Sequence, residues 1–497
     1  MPNPDKYRPW FNPIRNKIRK HQPLSLIMEA SRVLHEVKEF PLDKVAAYTP
    51  WTVLQIIKWT VLYGEEIEYG LKPAKRQTIH DLINLVRELE GNVIADFSDI
   101  HSFLRAMSHQ QFWLQRGPDQ SFYGRQIQTM FNLDRKGRVQ QRFKTISGID
   151  LSDFLELAMI TSSHFLARDS LGFKRSYFHN VRSSYPDSVV DQFLRLLSKK
   201  PADLRAFLSK QDERVRAFEL RMYEQTPLKY FPLLCLGDEF LCYSPAVLQV
   251  ALSTFVYDLL KAADPGGFSG EFGGIFEEYV RLGLDEAAIK YLTESEVQKL
   301  VGKQIKAVDF LLPFEDANVF VESKAIELPP YAAVAADRKV LDKALRDSIV
   351  KAIQQALSAA DHLSKVSGHP AAGDKRSYLL VVTYKSLYIG KGTDFIRGDV
   401  LQELTQFCAS NGIRPDLIKH SRIHFLSASE YEILISMISE GVHLPKFLDE
   451  VEATNSNPST EKFDFGQHFS PTNFPKFVRE PYEELTKRVL QKLGKKP

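Results

Sequence analysis

A chain of 497 residues with 44% hydrophobic and 26% charged positions has the composition of a globular protein and is too long for one core, which predicts about two to four domains. Sixty-five Lys and Arg against 62 Asp and Glu leave a net charge of +3, so nucleic acid, if bound, is not held by bulk charge. The three cysteines Cys235, Cys242 and Cys408 have no C-x-x-C spacing, which argues against a disulfide or zinc framework and for a reducing, cytoplasmic setting. No apolar signal core opens the chain, and no uninterrupted run of about 18 apolar residues predicts a membrane span.

The first twenty residues are rich in Pro and basic side chains (Lys6, Arg8, Arg15, Lys17, Arg19, Lys20) and are expected to form a solvated leader that packs through Trp10 and Phe11. From 23 to 227 the apolar spacing is mainly helical: Leu24, Ile27, Met28, Val33, Leu34 and Val37; Val53, Leu54, Ile57 and Val61; Ile79, Leu82, Ile83, Val86 and Leu89. Further helices are predicted over 103–112, capped by Asp99 or Ser102, and over 151–166, 186–197 and 201–210, the last with Pro201 in its first turn. Between 121 and 144, Arg125, Arg135, Lys136, Arg138, Arg142 and Lys144 interleave with Phe122, Tyr123, Phe131 and Phe143. That mixture suits phosphates and bases, or simply a polar turn at 134–137. Arg168, Lys174, Arg175 and Arg182 with Tyr177 and Phe178 pose the same alternative.

Residues 228–243 read as a hairpin about Gly237-Asp238, and Ser244-Pro245 starts a helix over 246–263. A Gly-rich loop is expected at 266–274, followed by a helix carrying Ile275, Tyr279, Leu282 and Ala287. It lacks the Gly-Lys-Ser/Thr ending of a phosphate-binding P-loop. Two short apolar runs, 307–312 and 319–325, then read as strands joined by a turn at Pro313, Glu315 and Asp316. Asp309 lies in the first run; Glu322 and Lys324 lie in the second, two apart and so on one face. Ionised groups inside apolar strands are normally paired or bound to a metal. A hairpin would bring Asp309 to Glu322, and Glu277 on the preceding helix could add a third carboxylate. Such a set suits Mg²⁺, which takes oxygen ligands from one or two carboxylates. The plainer alternative is a surface hairpin with Glu322 and Lys324 in water.

The order helix-Glu277, strand-Asp309, strand-Glu322-Ser323-Lys324 resembles the PD-(D/E)xK nuclease superfamily over about residues 266–428, with Val308 where the family name has Pro. The resemblance implies a restriction-endonuclease-like core in which Asp309, Glu322 and the Ser323 carbonyl hold Mg²⁺ (Mn²⁺ as the alternative), with Glu277 beside them. Lys324 would assist the attacking water. A Gln on the following helix would face the site, here Gln355 rather than Gln354. It also implies phosphodiester hydrolysis, in DNA before RNA, and a setting such as restriction or anti-phage defence, with a homodimer or a defence-system protein as partner.

Beyond Lys324, a long helix is expected over 337–365, a strand over 378–389 with a bent extension, a helix over 395–410, a strand over 422–426 and a helix over 429–440. His420 and His424 have no accompanying ligands and are expected to be bland. The expected architecture is therefore multidomain. An all-α N-terminal half (1–227) for recognition or assembly joins a hairpin-helix connector (228–265), a three-layer α/β core with a mixed sheet (266–445) and a C-terminal extension (446–497). The rival readings are a catalytically inactive nucleic-acid-binding or assembly protein on the same scaffold, and an RNA nuclease.

Overall fold

The computed structural model describes residues 7–36, 48–66, 70–92, 96–115, 120–167, 170–213, 217–302, 305–470 and 472–494. Lys6, Val37 and Arg168, singled out above, lie outside the described residues. Helix dominates, at 65%, with two small mixed sheets.

The chain opens with helices α1 (Arg8–Ile18), α2 (Pro23–Glu36), α3 (Pro50–Tyr63), α4 (Arg76–Asn92) and α5 (Ile100–Gln115). The basic leader is thus a helix from Arg8 onward and not a solvated arm. Ile14 and Ile18 are buried, and the Phe11 ring packs edge-on against Trp59 and Tyr63 at 5.1 and 5.3 Å. In the middle of α3 the Lys58 ammonium is fully buried between Asp212 (2.6 Å) and Glu224 (2.5 Å), which together hold its pKa above the usual lysine value against the opposing effect of burial.

Next come α6 (Ser121–Ile127), which runs on through a π-helical turn to Asn132, then α7 (Arg138–Ser147) and α8 (Leu151–Ala167). Strand β1 (Gly172–Lys174), α9 (Asp187–Leu197), β2 (Ser198–Lys199) and α10 (Pro201–Asp212) follow. The N-terminal half is therefore not all-α. Its strands β1 and β2 join β3 (Leu233–Leu236) and β4 (Glu239–Cys242) in a sheet ordered β1-β4-β3-β2. Strands of three and two residues are too short to show a period of two, and only the hairpin across the chain supplies their hydrogen-bond partners. The hairpin itself forms where expected. Gly237 takes φ +72° at the first position of its two-residue turn, a conformation that glycine adopts without strain.

Most of the interleaved basic residues sit in ion pairs, and Lys136 is exposed. Arg135 meets Glu278, Arg142 meets Asp264 and Glu271, and Lys144 meets Asp150. Arg175 and Arg182 share Asp187, and Lys174 meets Glu239. Phe122, Tyr123 and Phe143 are buried core side chains and do not present a stacking surface.

Helix α11 (Pro245–Ala263) starts as expected, the Ser244 hydroxyl accepting from the Ala246 N–H at 3.2 Å. By length and composition it could cross a membrane; Val247, Leu248, Ala251, Leu252, Val256, Tyr257 and Leu260 are buried in the protein. The Gly-rich stretch is not a loop. Helix α12 runs from Pro265 to Glu286 through all of its glycines, with Asp264 as cap on the Gly267 N–H. Each interior Gly costs about 1 kcal/mol relative to Ala. Burial of Phe268, Phe272, Ile275, Phe276 and Tyr279 along one face outweighs that cost.

Strands β5 (Leu292–Thr293), β6 (Phe310–Pro313), β7 (Ala317–Lys324), β8 (Arg376–Thr383) and β9 (Ile423–Ser427) form the second sheet in that order. The β5/β6 and β6/β7 pairs are antiparallel; β7/β8 and β8/β9 are parallel. Helix α13 (Glu294–Val301) follows β5. The helix expected over 337–365 is α14 (Arg338–Leu345) and α15 (Lys351–Ser364) joined by a π-helical turn; it carries the chain from β7 to β8. Helix α16 (Gly398–Asn411) lies between β8 and β9. The bent extension of β8 does not form: the strand ends at Thr383, and 384–389 is irregular, with Tyr388 at φ +49°.

Alternation along the strands separates two apolar layers. Phe310, Val319, Val321, Leu380 and Val382 face α11 and α12, together with α17 (Ala428–Ser439) and α18 (Leu444–Asn455). Leu311, Phe320, Leu379, Val381 and Phe425 face α14, α15 and α16. The first of these layers also contains Phe122 and Leu157 from the N-terminal half, Leu233 from the connector hairpin and Leu485 from the last helix, α19 (Lys476–Lys492). One core therefore runs through the segments expected as helical module, connector, α/β core and extension.

Candidate functional site

Strands β6 and β7 pair so that Phe310 stands opposite Val321. One residue beyond that rung Asp309 faces Glu322. The Asp309 N–H donates to Glu322 Oε2 at 3.1 Å. In return, Asp309 Oδ2 accepts from the Ser323 N–H at 2.7 Å and from the Ser323 hydroxyl at 2.6 Å. The Lys324 ammonium donates to Glu322 Oε1. Asp309, Glu322, Ser323 and Lys324 are thus one hydrogen-bonded unit. The solvated-hairpin alternative does not hold, because Glu322 is 1% exposed.

The remaining predicted residues surround this unit without joining it. Gln355 of α15, and not Gln354, points to the site's main chain: its Nε2 donates to the Ala307 carbonyl at 3.2 Å, two residues before Asp309. Glu277 lies on the open side of α12. Partial desolvation, then the charges of Asp309, Glu294 and Glu278, hold its carboxyl above the usual range. Ser323 meets Asp309 through its N–H and hydroxyl.

Glu294 was missed. It is the first residue of α13, and its carboxyl is raised by desolvation and then by the charge of Asp309, with Lys324 opposing. Its local sequence, Thr293-Glu294-Ser295-Glu296, holds a capping box of Thr293 and Glu296 that marks the start of a helix at Glu294 and carries no mark of the strands beside it.

The electrostatics follow from crowding. Burial raises the Glu322 carboxyl to about 7, the nearby Asp309 charge adds to that, and Lys324 only partly offsets both. Glu277 and Glu294 add negative charge at the rim. A buried Glu322 beside a half-buried Asp309, with one ammonium between them and solvent, is short of positive charge at neutral pH. Among the described residues no three His, Cys, Asp or Glu side chains close into a ready metal cage. The donors that do converge are two carboxylates, hard oxygen ligands of the kind and number Mg²⁺ uses when water and substrate complete its shell, so the residues present fit that ion.

No family model matches the chain, and neither a curated protein nor a solved structure matches it significantly. His420 and His424 do not assemble a further site. The His424 imidazole is buried against Phe465, which depresses its pKa to about 3.

Proposed function

We propose that the chain is a Mg²⁺-dependent nuclease of the PD-(D/E)xK type, hydrolysing phosphodiester bonds, with DNA as the first substrate to test. The observation that carries this reading is the closed unit Asp309–Ser323 and Glu322–Lys324 at the end of the β6/β7 pair. Asp309 and Glu322 would hold the ion, which when bound supplies an activated water and charge neutralisation at phosphate. The finer fold assignment, a restriction-endonuclease-like core, rests on the same residue order and on the mixed β5–β9 sheet between helical layers.

The chain's own groups have separable tasks. Ser323 fixes the Asp309 carboxylate through two hydrogen bonds, so its second oxygen keeps a set direction. Lys324, 23% exposed at its side chain, bridges the buried Glu322 and solvent. It can turn from Glu322 toward an incoming phosphate or water. Gln355 steadies the main chain before Asp309 through Ala307. The raised carboxyls of Glu277 and Glu294 leave proton acceptors at the rim.

The test is cleavage of plasmid DNA and of total tRNA by purified protein, with Mg²⁺, with Mn²⁺ and with EDTA. Cleavage of plasmid with the metals and none with EDTA is expected. Lys324→Ala is expected to lower the rate by about 10²-fold or more while circular dichroism and melting stay near wild type. Cutting of tRNA alone would reassign the substrate to RNA; no product from either would leave a binding or assembly protein. The defence setting, a homodimer that presents two sites to two strands, and a cytoplasmic location remain part of this proposal.

A further inference from the structure

Beyond the carboxylate site, the molecule holds a cavity of about 290 Å³ outside the carboxyl ends of the parallel strands. Its floor is the loops after β7 (Glu327, Leu328) and β8 (Tyr384, Lys385) and the last residue of β9, Ser427. Its roof is α5, α6, α11 and the segment before β3. In open α/β sheets the crevice beyond the strand ends is where small ligands bind. Pockets for such ligands run from roughly 300 to 1,000 Å³, which places this one at single-nucleotide size and too small for a duplex.

The chemistry of its lining is one-sided. Lys229 is inserted here, with burial pulling its pKa down. Its ammonium donates to Gln225 Oε1 at 2.6 Å and lies 5.3 Å from the Tyr230 ring centroid; among the described residues it forms no ion pair with a carboxylate. An ammonium has three donors, so two are unspent. The Gln249 amide nitrogen and the Trp113 indole nitrogen, both lining the same space, are shielded from solvent and have no acceptor among the described residues. The carboxylates of the lining are already engaged: Glu224 by Lys58, and Glu327 by Lys261 and Lys385. Donors without acceptors converge here, and the half-buried Lys229 ammonium feels the Asp258 and Glu327 carboxylates only at a distance, with Lys385 opposing them. Tyr388 completes the wall at φ +49°, a backbone conformation costly for a bulky residue and concentrated at ligand clamps.

We infer that this cavity binds a nucleotide, its phosphate on Lys229 and Gln249 and its planar base among Trp113, Tyr230 and Tyr388. The chemistry is shared by a free mononucleotide and by the 5′-phosphorylated end of a single strand. Binding here does not require the metal site, so a chain that cuts nothing could still bind.

Quenching of Trp113 fluorescence and calorimetric titration at pH 7.5 with EDTA test this on the full chain. The probes are the nucleoside 5′-monophosphates, a 5′-phosphorylated tetranucleotide and its 5′-hydroxyl counterpart. Binding of the monophosphates identifies a free-nucleotide site; binding of the phosphorylated tetranucleotide alone identifies a strand-end site. Lys229→Met, which keeps the apolar stem, and Gln249→Leu are each expected to weaken binding at least tenfold. Glu322→Gln is expected to bind like wild type. Absence of binding by any probe at millimolar concentration, or undiminished binding by both folded variants, would overturn the inference.

Discussion

Glu322 is the residue on which the chemistry and the stability of this protein meet. Its carboxyl titrates near 7 in the fold and near 4.5 when free. A carboxyl raised in this way favours the folded state fully below about pH 4.5, and that advantage is lost as pH rises toward 7. The loss is on the order of 3 kcal/mol at 1.36 kcal/mol per pKa unit, and Lys324 is already included in it. Without divalent metal, Glu322→Gln is therefore expected to melt higher than wild type at pH 8 and to match it near pH 4.5, read by thermal denaturation. Mg²⁺ at about 100 times its dissociation constant should raise wild-type stability by about 2.7 kcal/mol and leave Glu322→Gln unmoved. A Glu322→Gln protein no more stable than wild type at pH 8 would remove the crowding on which the metal argument rests.

At the scale of elements, α12 shows how packing overrides local preference. Its glycines read as a loop, yet its phenylalanines are stacked along one side, Phe268 on Phe272 at 5.2 Å and Phe272 on Phe276 at 6.5 Å, with Tyr384 edge-on to Phe272. The glycines divide by what a methyl group would meet. At Gly273 and Gly274 a Cβ would meet nothing within 4 Å; at Gly283 it would lie 2.6 Å from the Tyr431 hydroxyl oxygen and 2.7 Å from a ring carbon. Gly274→Ala is expected to stabilise by about 0.4–1 kcal/mol, and Gly283→Ala to destabilise by about 1–3 kcal/mol, measured by urea denaturation. Equal effects of the two changes would show that α12 is not a packed helix. The strand-turn-strand segment was legible earlier because Asp309, Glu322 and Lys324 interrupt apolar runs. Glu294 was not, since a single exposed Glu at a helix start carries no mark of the strand it stands beside.

Over the whole molecule, the N-terminal and C-terminal parts are locked by a buried bridge. The Arg125 guanidinium of α6 meets Glu432 of α17, with Nη2 to Oε2 at 2.9 Å, and the Tyr279 hydroxyl of α12 donates to the same fully buried carboxylate. Removing one partner of a buried pair costs about 3–5 kcal/mol, because the other charge is stranded. Arg125→Ala is expected to show that loss in chemical denaturation, and Arg125→Ala with Glu432→Leu to recover most of it. A further seal is α19, whose Val478 carbonyl approaches so close to Gly124 that a Cβ there would lie at 1.9 Å. The cavity lined by Lys229 sits inside this junction, so a ligand there would touch both parts at once.

The sequence by itself determined most helices, the Gly237-Asp238 hairpin and the acidic-lysine unit, because each is written in neighbours: a period near 3.6, a turn residue, or charges set into an apolar strand. Tertiary structure alone decided that β1 and β2 are strands, that a Gly-rich run is a helix, that the basic cluster faces carboxylates, and that a donor-lined cavity opens between the two parts. Most of these depend on partners far along the chain, Phe173 with Phe240 and Arg125 with Glu432 among them, and hydrogen bonding and burial between distant segments leave no period along the chain.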